Sequence, residues 1–220
     1  MSPAGDPRAL AAASAALIVL GSATVGESGG TPMRPRIRPA WPGARLAAPA
    51  YPVRCSPGDN LPIHVAVANA PPGVALVVDV GDAAEFGYWG EVLTTAALAR
   101  HIAGLVIDGG VRDSAALESH RFPVFSTVIA LPGAGKHRPG TVGRPVTVGD
   151  VRVEPWDWVV GDGDGVAVVG RDALDEVLAA GRARADKESV MFAELTEGGT
   201  TVELLGLDAS AVEGIDDDIS

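Results

Sequence analysis

The sequence predicts an α/β fold with a mainly parallel core and a β-rich second half, and three observations carry that prediction. Short apolar runs, Val74–Val80, Gly104–Asp108 and Pro123–Phe125, alternate with stretches of helical spacing, the pattern of a parallel sheet covered by helices. These runs are continuous rather than alternating, as strands buried on both faces require. From Pro145 onward the pattern changes to closely spaced β-branched runs broken by Gly and Asp, which signals hairpins.

The elements follow in order. Leu10 to about Ser22 reads as an alanine-rich helix, ended by the glycines around Gly26, Gly29 and Gly30. Its apolar run, Ala9–Val19, is also similar to a signal-peptide core, but Asp6 beside Arg8 removes the expected positive excess; the folded helix is the reading adopted. No apolar run reaches the roughly 18 residues needed to cross a bilayer. Pro32–Gly43 has too many prolines for a helix or a central strand. Arg45–Arg54 reads as an extended, edge-like strand. The turn Pro57–Asn60 caps a helix over Leu61–Ala70. After the Val74–Val80 strand, Gly87–Gly90 form a tight loop and Glu91–Ala103 a helix. Asp113–Ser119 is a further helix between the second and third apolar runs. Pro145–Val153, broken at Gly149 and Asp150, is a hairpin. Trp158–Val160 and Val166–Val169 are strands around the Gly161–Gly165 turn, and Asp172 caps a helix to about Leu195, before an acidic tail.

The chain of 220 residues suits one domain, and 47% hydrophobic against 20% charged residues allows a sizeable core. A net charge of −11 argues against nucleic acid as a partner. Arg34, Arg36 and Arg38 form the one notable basic cluster and, between prolines, read as a structural strap. The single cysteine, Cys55, excludes an intrachain disulfide and a multi-thiolate metal site. In its apolar stretch it reads as a buried, inert thiol, in keeping with a cytoplasmic protein.

Several motifs fail on inspection. Gly133, Gly135 and Lys136 are faintly similar to a phosphate loop, but Ala130 stands at the earlier glycine and His137 at the Ser or Thr. The Asp162–Gly165 turn is too short for a calcium loop. There is no Gly-x-Ser-x-Gly elbow, and the four histidines have no metal-ligand spacing.

Two clusters remain. Gly87-Tyr-Trp-Gly-Glu-Val-Leu93 opens a helix whose first N–H groups can cradle an anion such as a carboxylate; the plain alternative is an ordinary helix start. Asp108-Gly-Gly-Val-Arg-Asp113 ends a buried strand, where ligands of α/β sheets collect. There Arg112 can clamp a carboxylate and Asp113 can offer a hard oxygen to magnesium or manganese; the alternative is a surface ion pair capping the next helix.

Together these clusters resemble a known family. Glu91 and Arg112 are separated by 20 residues, with Asp113 following at once, similar to the acid–x20–Arg–Asp signature of RraA-like, class II (metal-dependent) pyruvate aldolases such as 4-hydroxy-4-methyl-2-oxoglutarate aldolase. Further similarity lies in Arg36-Ile-Arg-Pro-Ala-Trp-Pro-Gly-Ala-Arg-Leu46, Pro57-Gly-Asp-Asn60, Pro123-Val-Phe125 and Gly161-Asp-Gly-Asp-Gly-Val166. The resemblance covers roughly Leu10–Glu188. It implies a layered α/β/β/α sandwich, similar to phosphohistidine-domain proteins, in a single domain over residues 1–220. It implies a divalent cation, Mg2+ or Mn2+ or another, at Asp113. The amides of Gly90, Glu91, Val92 and Leu93 would hold the substrate carboxylate, and Arg112 would face the keto oxygen as a pyruvate enolate forms. Glu91 would orient a water on the ion, and Glu188, from a neighbouring subunit's C-terminal helix, would complete the site. The implied partners are a small 2-oxo acid and further copies in a homotrimer or homohexamer, with no membrane. Oxaloacetate decarboxylation passes through the same enolate and stays open. So does a non-catalytic RraA-like regulator of an endoribonuclease, although Glu91 favours catalysis. Menaquinone methyltransferase chemistry lacks its nucleotide loop.

The sequence departs from the family at Pro155-Trp156-Asp157, where Pro-Gly-Asp is common, and at Gly170 and Gly26, which stand where proline and serine are frequent. Trp156 reads as a packing residue that could also reshape the pocket.

Overall fold

The computed structural model describes residues 6–212. It falls into two compact units, one running to Gly181 and the other from Arg182.

The first unit is built on one curled, nine-stranded sheet. Its parallel centre comprises β3 (Leu46–Arg54), β4 (Ala75–Asp79), β5 (Gly104–Asp108) and β7 (Val124–Ser126). These strands are joined through α2 (Leu61–Asn69), α3 (Glu91–Ala99) and α4 (Ser114–Ser119). The short strands β1 (Thr31–Pro32) and β2 (Arg38–Pro39) come from the proline-rich connector and close the two edges. β12 (Trp158–Asp162) and β13 (Gly165–Val169) form an antiparallel hairpin that continues the sheet beyond β3. Two residue pairs, β6 (Gly110–Val111) and β8 (Val128–Ile129), run parallel to each other, and β9 (Thr141–Val142) pairs with the end of β3.

Strand alternation divides the core into layers. Val53, Leu76, Val78, Leu105 and Ile107 face the three helices. Ala50, Ala75, Val77 and Val106 face the opposite way, and there the curl brings them against Val159, Val166 and Val168 and the hairpin β10 (Val146–Val148) and β11 (Val151–Val153). The outer face of β12 and β13, through Trp158, Val160, Ala167 and Val169, is covered by α1 (Pro7–Glu27) and by Val177 and Leu178 of α5 (Leu174–Thr196). The result is the expected α/β/β/α order. The predicted hairpin turn is also present: Gly149 (φ 56) and Asp150 (φ 62) both take the left-handed conformation that a two-residue I′ turn needs.

Four expectations need correction. β3 is not an edge strand but lies between β12 and β4. Its prolines are tolerated because of where their nitrogens point. Ala50 N donates toward Asp157 O on the β12 side (2.6 Å), so Pro49 faces the β4 side one residue before that pairing begins at Ala50. The helix predicted to Ala103 stops at Ala99, and His101 then takes a left-handed φ of 57. The first helix runs on to Glu27, through a kink at Gly21 (φ 78). At 21 residues and mean hydropathy 1.9 it is by length and composition able to cross a bilayer, contrary to the expectation that no run is. It lies across β12 and β13, with Leu17 and Val25 fully buried. The Pro57–Asn60 turn does open α2 as expected, through Asp59, whose Oδ1 accepts from Leu61 N (3.0 Å), while the side chain of Asn60 donates to Tyr88 O.

Cys55 is buried, as expected, and burial pushes its thiol up to about 12. The second unit holds the rest of α5 and α6 (Thr201–Leu205), which Thr200 and Glu203 open with a reciprocal capping box.

Candidate active site

The site sits past the carboxyl end of β5. Gly109, Gly110 and Val111 carry the chain out of the sheet, and the isolated pairing of Trp89 with Val111 brings the α3 start alongside. Arg112 N donates to Trp89 O at 2.9 Å, so the two clusters separated in sequence are joined by backbone.

Asp113 takes a left-handed φ of 58, a conformation few side chains adopt and one that Asp tolerates better than most. That turn aims its carboxylate at α3, where Oδ2 accepts from Glu91 N at 3.0 Å. Nothing among the described residues donates to Oδ1. The glycines make the crossing possible. A Cβ at Gly90 would collide with Asp113 Oδ2, and one at Gly87 would come within 3.0 Å of Arg112 Cδ.

Arg112 is threaded between these glycines, with Nη1 at the Gly133 backbone. Its guanidinium donates no hydrogen bond among the described residues, and its sole ion pair is a loose 3.9 Å contact with Asp113. At 43% exposure, this is a planar five-donor group left without acceptors beside an open helix start. The amide of Glu91 is committed to Asp113, so the cradle drawn from the sequence narrows to the amides of Gly90, Val92 and Leu93. Glu91's carboxylate meets His120, with Oε1 3.5 Å from Nε2.

The structure thus brings Gly90, Glu91, Val92, Leu93, Arg112 and Asp113 together. Glu188 belongs to the second unit, where its Oε1 pairs with Arg184 Nε at 2.8 Å. Trp156 stands at the opposite end of the parallel strands: its N donates to Ala50 O, where β4 pairing starts. Its φ of 77 is one glycine adopts freely, so the departure puts a packing side chain in a glycine conformation, away from Arg112.

Sequence reasoning missed two contributors. Gly133, dismissed as part of a failed phosphate loop, fronts Arg112, and Asp59 ties that loop down by accepting from His137 N at 2.8 Å. The paired glycines were the available signal. His120 carried none, since its partner is set by how α3 packs on α4.

The Aldolase/RraA family model, described as RraA-like, matches residues 21–168. The chain belongs to the RraA-like family. A relative from Halalkalibacterium halodurans, provisionally named a 4-hydroxy-4-methyl-2-oxoglutarate aldolase, is 32% identical over 154 residues, which is 70% of this chain and 73% of that protein. An uncharacterized protein from Pseudomonas syringae pv. tomato shares this RraA-like fold with a TM-score of 0.73, at 24% identity, over 84% of this chain and 94% of that one. The Thermus structure described as the RNA-processing inhibitor RraA matches with a TM-score of 0.57, at 25% identity, over 64% and 84%.

Proposed function

We propose that the protein is a divalent-metal-dependent lyase that cleaves a 4-hydroxy-2-oxo acid and releases pyruvate. The observation that carries this reading is Arg112, a guanidinium held between glycines with no hydrogen-bond acceptor among the described residues.

The metal reading was tested against the donor set. Among the described residues no three His, Cys, Asp or Glu side chains converge, which does not suit zinc. One carboxylate with an uncommitted oxygen does suit a cation that keeps most of its waters, such as magnesium or manganese. Asp113 would hold it, and when bound the ion supplies fixed positive charge for the oxygens of a 2-oxo acid.

The amides of Gly90, Val92 and Leu93 take the substrate carboxylate at the positive end of α3. Arg112 donates to the keto oxygen. As the C3–C4 bond breaks, its electron pair moves into a C2–C3 enolate, and negative charge grows on the oxygen that Arg112 faces. The C4 hydroxyl gives up its proton through a water held by Glu91, and the carbonyl product leaves. C3 of the enolate then takes a proton from water to give pyruvate. Oxaloacetate reaches the same enolate by losing carbon dioxide, so decarboxylation belongs to the proposal.

Two large apolar side chains, Val92 at the start of α3 and Leu131 two residues before Gly133, are 79% and 83% exposed. Burying them against another copy would remove apolar surface from water. The family resemblance supplies the rest of this reading, a homo-oligomer, trimer or hexamer, in which a neighbouring copy brings Glu188 to the site.

The test is a panel of 4-hydroxy-2-oxo acids and oxaloacetate, with coupled pyruvate detection on chelated protein before and after adding Mg2+ or Mn2+. Release that requires the cation is expected. Full activity after chelation overturns the metal reading. No release from any substrate overturns the lyase reading in favour of a non-catalytic regulator, the role the description of the Thermus relative names.

A further inference from the structure

We infer that His120 is a positioning residue for Glu91; the inference rests on the lyase reading of the site. One helix, α4, bears on Glu91 from both of its ends. At its N-cap, Asp113 takes the Glu91 amide. At its C-cap, His120 brings Nε2 to 3.5 Å from Glu91 Oε1. No lysine or arginine lies within ion-pair distance of that carboxylate among the described residues.

The end of α4 is not free to drift. His120 N donates to Ala116 O (3.0 Å), and Arg121 follows in a left-handed turn (φ 51). Phe122 then stacks on Trp89, with ring planes 7° apart and centroids at 5.7 Å. Trp89 is in turn fixed by its buried Nε1 bond to Thr94 Oγ1 at 2.7 Å. The chain that holds the imidazole is therefore locked to α3, the helix that carries Glu91.

Glu91 itself is exposed; its side chain is 57% accessible and rotates about three bonds. A carboxylate that must hold a reacting water needs one orientation. An imidazole 3.5 Å away on a rigid neighbour is placed to offer a directional N–H as the carboxylate turns toward it, as residues behind a functional group commonly do. An ordinary exposed ion pair contributes little to stability, so the pair is read through catalysis.

The experiment is a double-mutant cycle on the intact protein. His120→Ala is expected to lower kcat about tenfold, with KM, oxalate affinity in the presence of Mg2+ and Tm unchanged. His120→Gln, which returns an N–H donor, is expected to restore most of the loss. In a Glu91→Ala background, His120→Ala is expected to cost nothing further. An undiminished loss in that background, a loss seen in KM or oxalate affinity instead, or wild-type kcat in His120→Ala overturns the inference while leaving the lyase reading intact. A wild-type protein that releases no pyruvate overturns both.

Discussion

Two turns rich in glycine and aspartate, Asp108–Asp113 and Gly161–Gly165, look alike along the chain, yet their polar groups end in opposite conditions. In the second turn the Asp162 carboxylate is satisfied on both oxygens. Asp162 accepts from Ser22 N (2.8 Å), Ser22 Oγ (2.6 Å) and Asp164 N (3.0 Å), and so fastens the α1 kink to the sheet. Burial pushes this carboxyl up, but those hydrogen bonds outweigh it and hold it below the usual carboxylate range. In the first turn, among the described residues, the Arg112 guanidinium has no hydrogen-bond acceptor and Asp113 keeps an uncommitted oxygen in a left-handed backbone, while glycines are kept bare by close contacts. A turn that spends its hydrogen bonds internally is structural. One that withholds them at the end of a parallel sheet is poised for a ligand.

The comparison can be broken by experiment, beginning where the effect should be largest. Arg112→Ala is expected to reduce pyruvate release by about 10²–10³ with an unchanged melting curve, because the side chain makes no hydrogen bond that the fold would miss. Asp113→Asn is expected to abolish the response to Mg2+ in a titration followed by turnover, while the protein stays folded, since Asn tolerates the left-handed turn. Gly90→Ala, whose Cβ meets Asp113, is expected to cost about 10²-fold in rate. The same change at Gly163, where nothing lies within 4 Å, serves as its control.

In the structural turn the readout is stability instead. Asp162→Asn is expected to cost about 1.5–3 kcal/mol in denaturant unfolding and to leave kcat untouched. The pH dependence follows from the depressed carboxyl: its contribution is present above the ordinary value of about 3.9 and is lost as pH falls through the lower folded value. The wild-type advantage over Asp162→Asn should therefore fade below about pH 4. The smallest effect is that of Gly163→Ala, within about 0.5 kcal/mol of wild type and with full activity. A large loss there would erase the distinction between the two turns.

Much of the site was legible because its parts lie in two short segments. The glycines, the helix start and the Arg–Asp pair are local patterns, and a buried parallel strand ending at Asp108 shows where ligands gather. The narrowing of the amide cradle was not legible, since it depends on Asp113 bending back to Glu91 through a left-handed residue. The central place of β3 was hidden for a similar reason. Its prolines look prohibitive until the neighbours on each side are known, and one of them, β12, lies more than a hundred residues further along the chain.

The sequence by itself determined the alternation of strands and helices, the hairpins at Gly149–Asp150 and Gly161–Gly165, and the identity of the groups at the α3 start and in the Arg112–Asp113 turn. These follow from side-chain periodicity and turn chemistry, which act over a few residues. Only the tertiary structure decided which aspartate is satisfied and which is not, because Ser22 and Asp162 are 140 residues apart. It also decided that His120 faces Glu91. Such pairings depend on how a curled sheet and its helices pack, and packing is set by the whole core at once.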